Sequence, residues 1–460
     1  MTNFDLVIIG TGSGNSILDD RFADQRVAII EKGVFGGTCL NVGCIPTKMF
    51  VHPADLAAMP AAAGRLGVDA TLDGVRWADI RDRIFGRIDP IASGGRDYRA
   101  NHPDNRNVTL YEGTARFTGP RTLDVDGETV TADRIVLAAG TRAVLPDVPG
   151  LDDIGYHTSD TVMRLEKLPR RLTIIGSGFV SAEFAHVFSS FGVEVTVIAR
   201  SGALLRHEDN DISARFTEMA AKKWDVRLNR KVLRASRDAD GIRLDLDGDS
   251  VSTDVVLVAI GRTPNSDLLN LPAAGIEVAP SGHVVVDEFQ RTTAAGVWAL
   301  GDISSPWELK HVANHEARVV RHNLLNPAAP IEADHRFVPH AVFTSPPVAS
   351  VGITEEEARA KGLRYVTAKQ DYAGIAYGWA MEDTTGFAKL IADPASGQLL
   401  GAHIIGPQAA TVIQPLIQAM SFGLDAHTMA RGQYWIHPAM PELVENALLN
   451  LPLDTTSDAL

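Results

Sequence analysis

Phe4-Asp5-Leu6-Val7-Ile8-Ile9-Gly10-Thr11-Gly12-Ser13-Gly14-Asn15 sets an apolar strand directly before a glycine-rich turn. A short apolar run bounded in this way reads as a buried parallel strand. A short helix is expected next, then a second strand, Arg26-Val27-Ala28-Ile29-Ile30, ending at Glu31. Together these make a βαβ unit with an acid about 20 residues after its first glycine. Gly10, Gly12 and Gly14 let the backbone approach a pyrophosphate, and the amino end of the helix would stabilise its charge. Glu31 is placed to bind both hydroxyls of a ribose. Asn15 stands where Gly or Ala is usual, which is expected to set helix and strand slightly further apart. The glycines alone would fit any tight turn. The strand before them and Glu31 after them make this a dinucleotide site.

The pattern returns 166 positions later. Leu172-Thr173-Ile174-Ile175 leads into Gly176-Ser177-Gly178-Phe179-Val180-Ser181, then a helix bearing Glu183, then the strand Glu194-Val195-Thr196-Val197-Ile198. One chain therefore holds two dinucleotide sites. Where the second should present an acid to a free 2′-hydroxyl it has Ala199-Arg200, with Arg206 shortly after. Guanidinium groups suit a 2′-phosphate, so NADPH is expected rather than NADH. A solvated basic loop is the alternative reading of the same arginines.

Residues 50–110 read as mainly helical. Pro146, Pro149 and Gly150 mark a boundary. Gly296-Val297-Trp298-Ala299-Leu300-Gly301-Asp302 is a strand ending in Gly-Asp, where a carboxylate could meet a polyhydroxyl chain. From about residue 336 the chain mixes strands with helices and carries no nucleotide fingerprint. The tail after Asn450, through Asp454 to Asp458, reads as mobile.

The length suits about three domains. A formal charge of −14 argues against a nucleic-acid or anionic-membrane surface. No apolar run approaches the roughly 18 residues that a membrane span needs. With no basic stretch ahead of the first strand, a cytosolic protein is expected.

The chain has two cysteines, Cys39 and Cys44, both in Gly36-Gly37-Thr38-Cys39-Leu40-Asn41-Val42-Gly43-Cys44-Ile45-Pro46-Thr47-Lys48. A disulfide closing so short a loop stabilises a fold by only about 2 kcal/mol. An unbroken helix would hold the two roughly 8–9 Å apart, so a bridge needs a distorted helix entrance. Strained, accessible bridges are easily reduced. A zinc site would need further ligands that the loop lacks, so no metal is expected. The two cysteines read as a redox-active pair.

With these motifs in order, the chain resembles the class I pyridine nucleotide–disulfide oxidoreductases, the group of glutathione reductase, lipoamide dehydrogenase and mercuric reductase. Ala259-Ile260-Gly261-Arg262-Thr263-Pro264-Asn265, Val342-Phe343-Thr344 and His437-Pro438 add to the likeness. Within the group it is most similar to the mycothione reductase branch. That likeness rests on Gly86–Ile91, His311–Arg318, Tyr377–Asp383 and Met429–Pro438. The resemblance implies an α/β fold of two Rossmann-like domains plus a carboxyl-terminal α+β dimerisation domain. It implies an FAD domain over 1–150, an NADPH domain over 151–265, a return to the first domain over 266–335 and dimerisation over 336–460.

It also implies FAD contacts at Gly10, Gly12, Gly14, Asn15, Glu31, Gly37, Thr38, Cys39, Lys48, Ala115, Gly140 and Asp302. NADPH contacts are implied at Gly176, Gly178, Ser181, Arg200, Arg206 and Gly261. Cys44 would be the thiolate against the flavin and Cys39 the thiol that attacks a small-molecule disulfide, mycothione in this branch. Lys48 would pair with Glu183. His437, backed by Glu442, would act as acid–base from the partner subunit of a homodimer. The commoner family sequence His-Pro-Thr-x-Ser-Glu is here His437-Pro438-Ala439-Met440-Pro441-Glu442, which lacks the local hydroxyls. An NAD-linked lipoamide dehydrogenase is the competing enzyme, with Arg200 and Arg206 against it. A flavin-binding redox sensor with little turnover is the competing non-enzyme.

Overall fold

The computed structural model describes residues 2–239 and 241–454. The tail expectation for residues 455–458 lies outside them. Thr2–Ile9 is the first strand, and Leu6, Val7 and Ile8 are fully buried. Burial on both faces is what a parallel strand covered on each side requires. It pairs in parallel with Val27–Glu31 on one side and Glu128–Leu137 on the other. Val108–Glu112 extends the parallel sheet beyond Val27–Glu31, and the antiparallel strands Thr122–Val125 and Ala115–Gly119 extend its other side. Val297–Ala299 also pairs with Glu128–Leu137, so the chain returns to this sheet after building the second.

The second sheet is parallel, in the order Asp225–Arg227, Glu194–Ile198, Arg171–Ile175, Val255–Val258. Thr141–Ala143 and Arg262–Pro264 pair as a two-stranded link between the two nucleotide-binding units. The third sheet has five antiparallel strands, in the order His340–Val342, Val348–Gly352, Leu399–Ile405, Phe387–Ala392, Val366–Asp371.

Four helices matter for the site. They are α1 (Gly37–Asn41), α2 (Cys44–Ala63), α3 (Trp77–Asn101) and α4 (Phe179–Ser190). Among the described residues no helix is long and apolar enough to cross a membrane. One expectation needs correction. No α-helix follows the first glycine turn. Gly14–Ile17 and Asp20–Phe22 are short 3-10 turns instead. So few residues separate Gly14 from the strand at Val27 that a full helix and its return turn do not fit.

The third sheet is locked to the second nucleotide-binding unit by buried ions. Lys389 Nζ lies 2.9 Å from Asp209 Oδ1, 2.7 Å from Asp211 Oδ2 and 2.6 Å from Glu355 Oε2. The Asp209 side chain is fully buried. Removing one partner of such a group strands the other's charge. Lys389→Met is therefore expected to cost about 3–5 kcal/mol, read as a lower urea midpoint. Lys222→Met, in the exposed pair with Glu218, is expected to leave the midpoint in place.

Candidate active site

The dithiol loop breaks the helix that the sequence would otherwise continue. α1 ends at Asn41, and Gly43, at φ −126° and ψ −120°, starts α2 with Cys44 as its first residue. The Asn41 amide nitrogen donates to the Phe35 and Gly37 carbonyls and fixes the turn. The distorted entrance leaves Cys39 and Cys44 as two free thiols near enough to shift each other's ionisation. The neighbouring Cys39 thiol, opposed by burial and assisted by Lys48, lowers the Cys44 thiol to about 7. Cys39 is held above the usual thiol range, by the neighbouring Cys44 first and then by burial. The first position of a 20-residue helix favours an anion as well. Of the two thiols, Cys44 is the more acidic.

Lys48, one turn along α2, reaches both oxygens of Glu183 on α4, at 2.8 and 2.7 Å. The Phe343 amide donates to the same carboxylate at 3.0 Å, and the Lys48 ammonium sits 4.6 Å from the Phe343 ring centroid. Three separate segments thus meet behind the thiols.

Cys39, Cys44, Lys48 and Glu183 line a cavity of about 1230 Å³. Gly10, Gly12, Glu31, Gly37, Thr38, Ala115, Gly140 and Asp302 line it too, so most of the expected FAD contacts are gathered there. Gly10 has φ +104°, and a Cβ on it would stand 2.3 Å from the Ala138 carbonyl oxygen. A Cβ on Gly37 would stand 2.6 Å from the Gly12 Cα. The two loops therefore touch backbone to backbone, a cradle that side chains would fill. Among the described residues the amides of Gly12 and Ser13, at this wall, bond nothing in the chain. Asp302 accepts a 3.3 Å bond from Thr141, and burial raises its pKa. Free amides and a buried carboxylate fit the pyrophosphate and hydroxyls of FAD.

Two expected contacts differ. Gly14 and Asn15 do not line this cavity. Asn15 Oδ1 accepts from Arg99 Nε at 2.8 Å, and its carbonyl accepts from the same guanidinium. The third fingerprint position thus ties the turn to α3. Glu31 is in place but already accepts from the Thr11 amide and hydroxyl and from the Gly33 amide.

In the second unit a Cβ on Gly176 would stand 2.0 Å from the Ala259 carbonyl oxygen, whereas Gly178 faces open space. Ser181 is buried beneath the turn, with its hydroxyl 3.4 Å from the Ala259 carbonyl oxygen. Gly261, at φ +128°, Arg200 and Arg206 are exposed. An open glycine turn with exposed cations beside it fits a phosphorylated nucleotide.

His437 and Glu442 lie apart from this cavity. His437 Nδ1 bonds the Glu442 carboxylate, which also accepts from the Ala439 amide. The backbone amide of Ala439 thus does work that a local hydroxyl could do. The imidazole is 70% exposed and Tyr434 beside it fully so, leaving the pair free to face another surface.

A family model for pyridine nucleotide-disulphide oxidoreductases matches residues 4–317, and one for their dimerisation domain matches 338–448. The chain belongs to the pyridine nucleotide-disulphide oxidoreductase family. It is 56% identical to mycothione reductase of Mycobacterium tuberculosis, over 98% of this chain and 100% of that one. It is 31% identical to mercuric reductase of Bacillus cereus, over 92% of this chain and 67% of that one. Among solved structures, the HOCl-induced flavoprotein disulfide reductase RclA of Escherichia coli matches with a TM-score of 0.85 at 30% identity, over 97% and 99% of the two chains. The chain is an FAD-dependent disulfide oxidoreductase that uses NAD(P)H.

In the reduced protein one thiolate is expected to titrate near pH 7 and the other only at strongly alkaline pH, read by ultraviolet thiolate absorbance. Cys39→Ala, which removes the neighbouring thiol, is expected to raise the Cys44 midpoint by about one unit or more. Cys39→Ser, which keeps a donor, is expected to hold it nearer 7.

Proposed function

We propose that this chain is an NADPH-dependent reductase of mycothione, the disulfide of mycothiol, working in the cytoplasm as a homodimer that needs neither nucleic acid nor membrane. The observation that carries the disulfide chemistry is the pair of mutually coupled thiols Cys39 and Cys44, set in the wall of the first dinucleotide cavity. The choice of substrate is supported by 56% identity, over the full length, to a mycothione reductase.

The residues lining the first cavity would hold FAD, which would supply two-electron transfer from NADPH to the Cys39–Cys44 disulfide. Cys39 gives up its proton to the partner subunit's His437 and attacks one sulfur of the substrate. The first mycothiol leaves as a thiolate and takes that proton from the partner subunit's His437. Glu442 orients this imidazole and balances its charge. The Cys44 thiolate then attacks Cys39, re-forms the disulfide and releases the second mycothiol. The paired Lys48 and Glu183 hold a fixed charge near the bound flavin. Residues 1–150 and 266–335 are assigned to the FAD unit, 151–265 to the NADPH unit and 336–460 to dimerisation. The exposed His437 and Tyr434 support that last assignment.

NADPH oxidation measured with mycothione, glutathione disulfide and lipoamide side by side tests the substrate. Mycothione is expected to give by far the highest kcat/KM, and preference for lipoamide with NAD would contradict the reading. Cys39→Ser is expected to abolish mycothione turnover with FAD still bound. Arg200→Ala together with Arg206→Ala is expected to raise KM for NADPH about tenfold or more while leaving that for NADH in place, since each lost charge-assisted phosphate contact is worth roughly 1.5–3 kcal/mol.

A further inference from the structure

In a dinucleotide fold, the amino end of the helix after the glycine turn places about half a positive charge at the pyrophosphate. Here that helix is absent, and a four-residue 3-10 turn, Gly14–Ile17, stands in its place. The anion that the cradle fits still needs a counter-charge. A cation at this loop comes from elsewhere in the chain. α5 (Lys310–Leu325) packs against the 3-10 turn, with Ala317, Val320 and Leu324 clustered with Ile17. Its first residue, Lys310, donates from Nζ to Ser13 Oγ at 2.7 Å. Lys310 is half-buried, lines the cavity, and pairs with no carboxylate among the described residues. An ammonium carries three N–H donors, and Ser13 uses one.

The other cation at the turn is already engaged. Arg99 spends its guanidinium on Asn15, Leu18 and Asn105. Lys310 is the cation at the turn with donors to spare, beside the free amides of Gly12 and Ser13.

We propose that Lys310, anchored by Ser13, takes over the role of the missing helix terminus and binds the pyrophosphate of FAD. A full charge on a flexible stem replaces a fractional charge fixed in the backbone. The Ser13 hydroxyl steers that stem, so the ammonium is preset before the dinucleotide arrives. The inference rests on FAD occupying the first cavity.

The test is the rate at which holoenzyme releases FAD, followed by the rise in flavin fluorescence on dilution. Lys310→Met is expected to release FAD at least about tenfold faster, as loss of a charge-assisted contact requires. Lys310→Arg is expected to stay near the wild-type rate, and Ser13→Ala to fall between. In the wild type, release is expected to quicken as ionic strength rises. That dependence needs no variant, so it decides the matter even if Lys310→Met does not fold. Release that is independent of salt overturns the proposal. So does release from Lys310→Met at the wild-type rate, including a case where only the Cys39–Cys44 titration moves. Protein that purifies without flavin contradicts the cavity assignment itself, a different failure.

Discussion

The helix break between Asn41 and Cys44 is the constraint on which the site depends. Gly43 adopts a backbone that ends α1 and starts α2 in the same turn. A continuous helix would hold the two thiols too far apart to bond. The break sets Cys39 and Cys44 near enough to shift each other's acidity in opposite directions. The Cys44 thiol is made the more acidic and the Cys39 thiol the less so. Lys48 lies one turn further along the same helix, so fixing α2 fixes the charge behind the thiolate as well.

The strands and turns of both nucleotide-binding units were legible in the sequence because parallel strands buried on both faces must be apolar throughout. The glycines were legible because the chain needs them where backbones touch, as at Gly37 against Gly12. The missing helix was misread by pattern alone. The acid stood at its expected distance, yet too few residues lay between the turn and the strand. The cysteine pair was legible down to the distorted helix entrance.

Contacts between distant segments were not legible from spacing. Lys48 and Glu183 are 135 positions apart, and Lys310 and Ser13 are 297 apart. The first pair came from resemblance. The second had no signal beyond a lysine just ahead of the stretch His311–Arg318. The buried ions around Lys389 were equally silent, because a lysine within an apolar strand looks like a solvent-facing one until its partners are known. His437 and Glu442 were found by family position, and their openness to solvent is a property of the folded surface alone.

The most direct test of the central claim is a thiol count made without oxygen. Protein carrying its FAD is mixed with excess NADPH, quenched with a thiol reagent, and compared with the untreated form. The account predicts that two new protein thiols per bound FAD appear with NADPH, and that once excess NADPH is removed they are lost on adding mycothione, with two mycothiols formed per pair. A thiol count that NADPH leaves unchanged would contradict it.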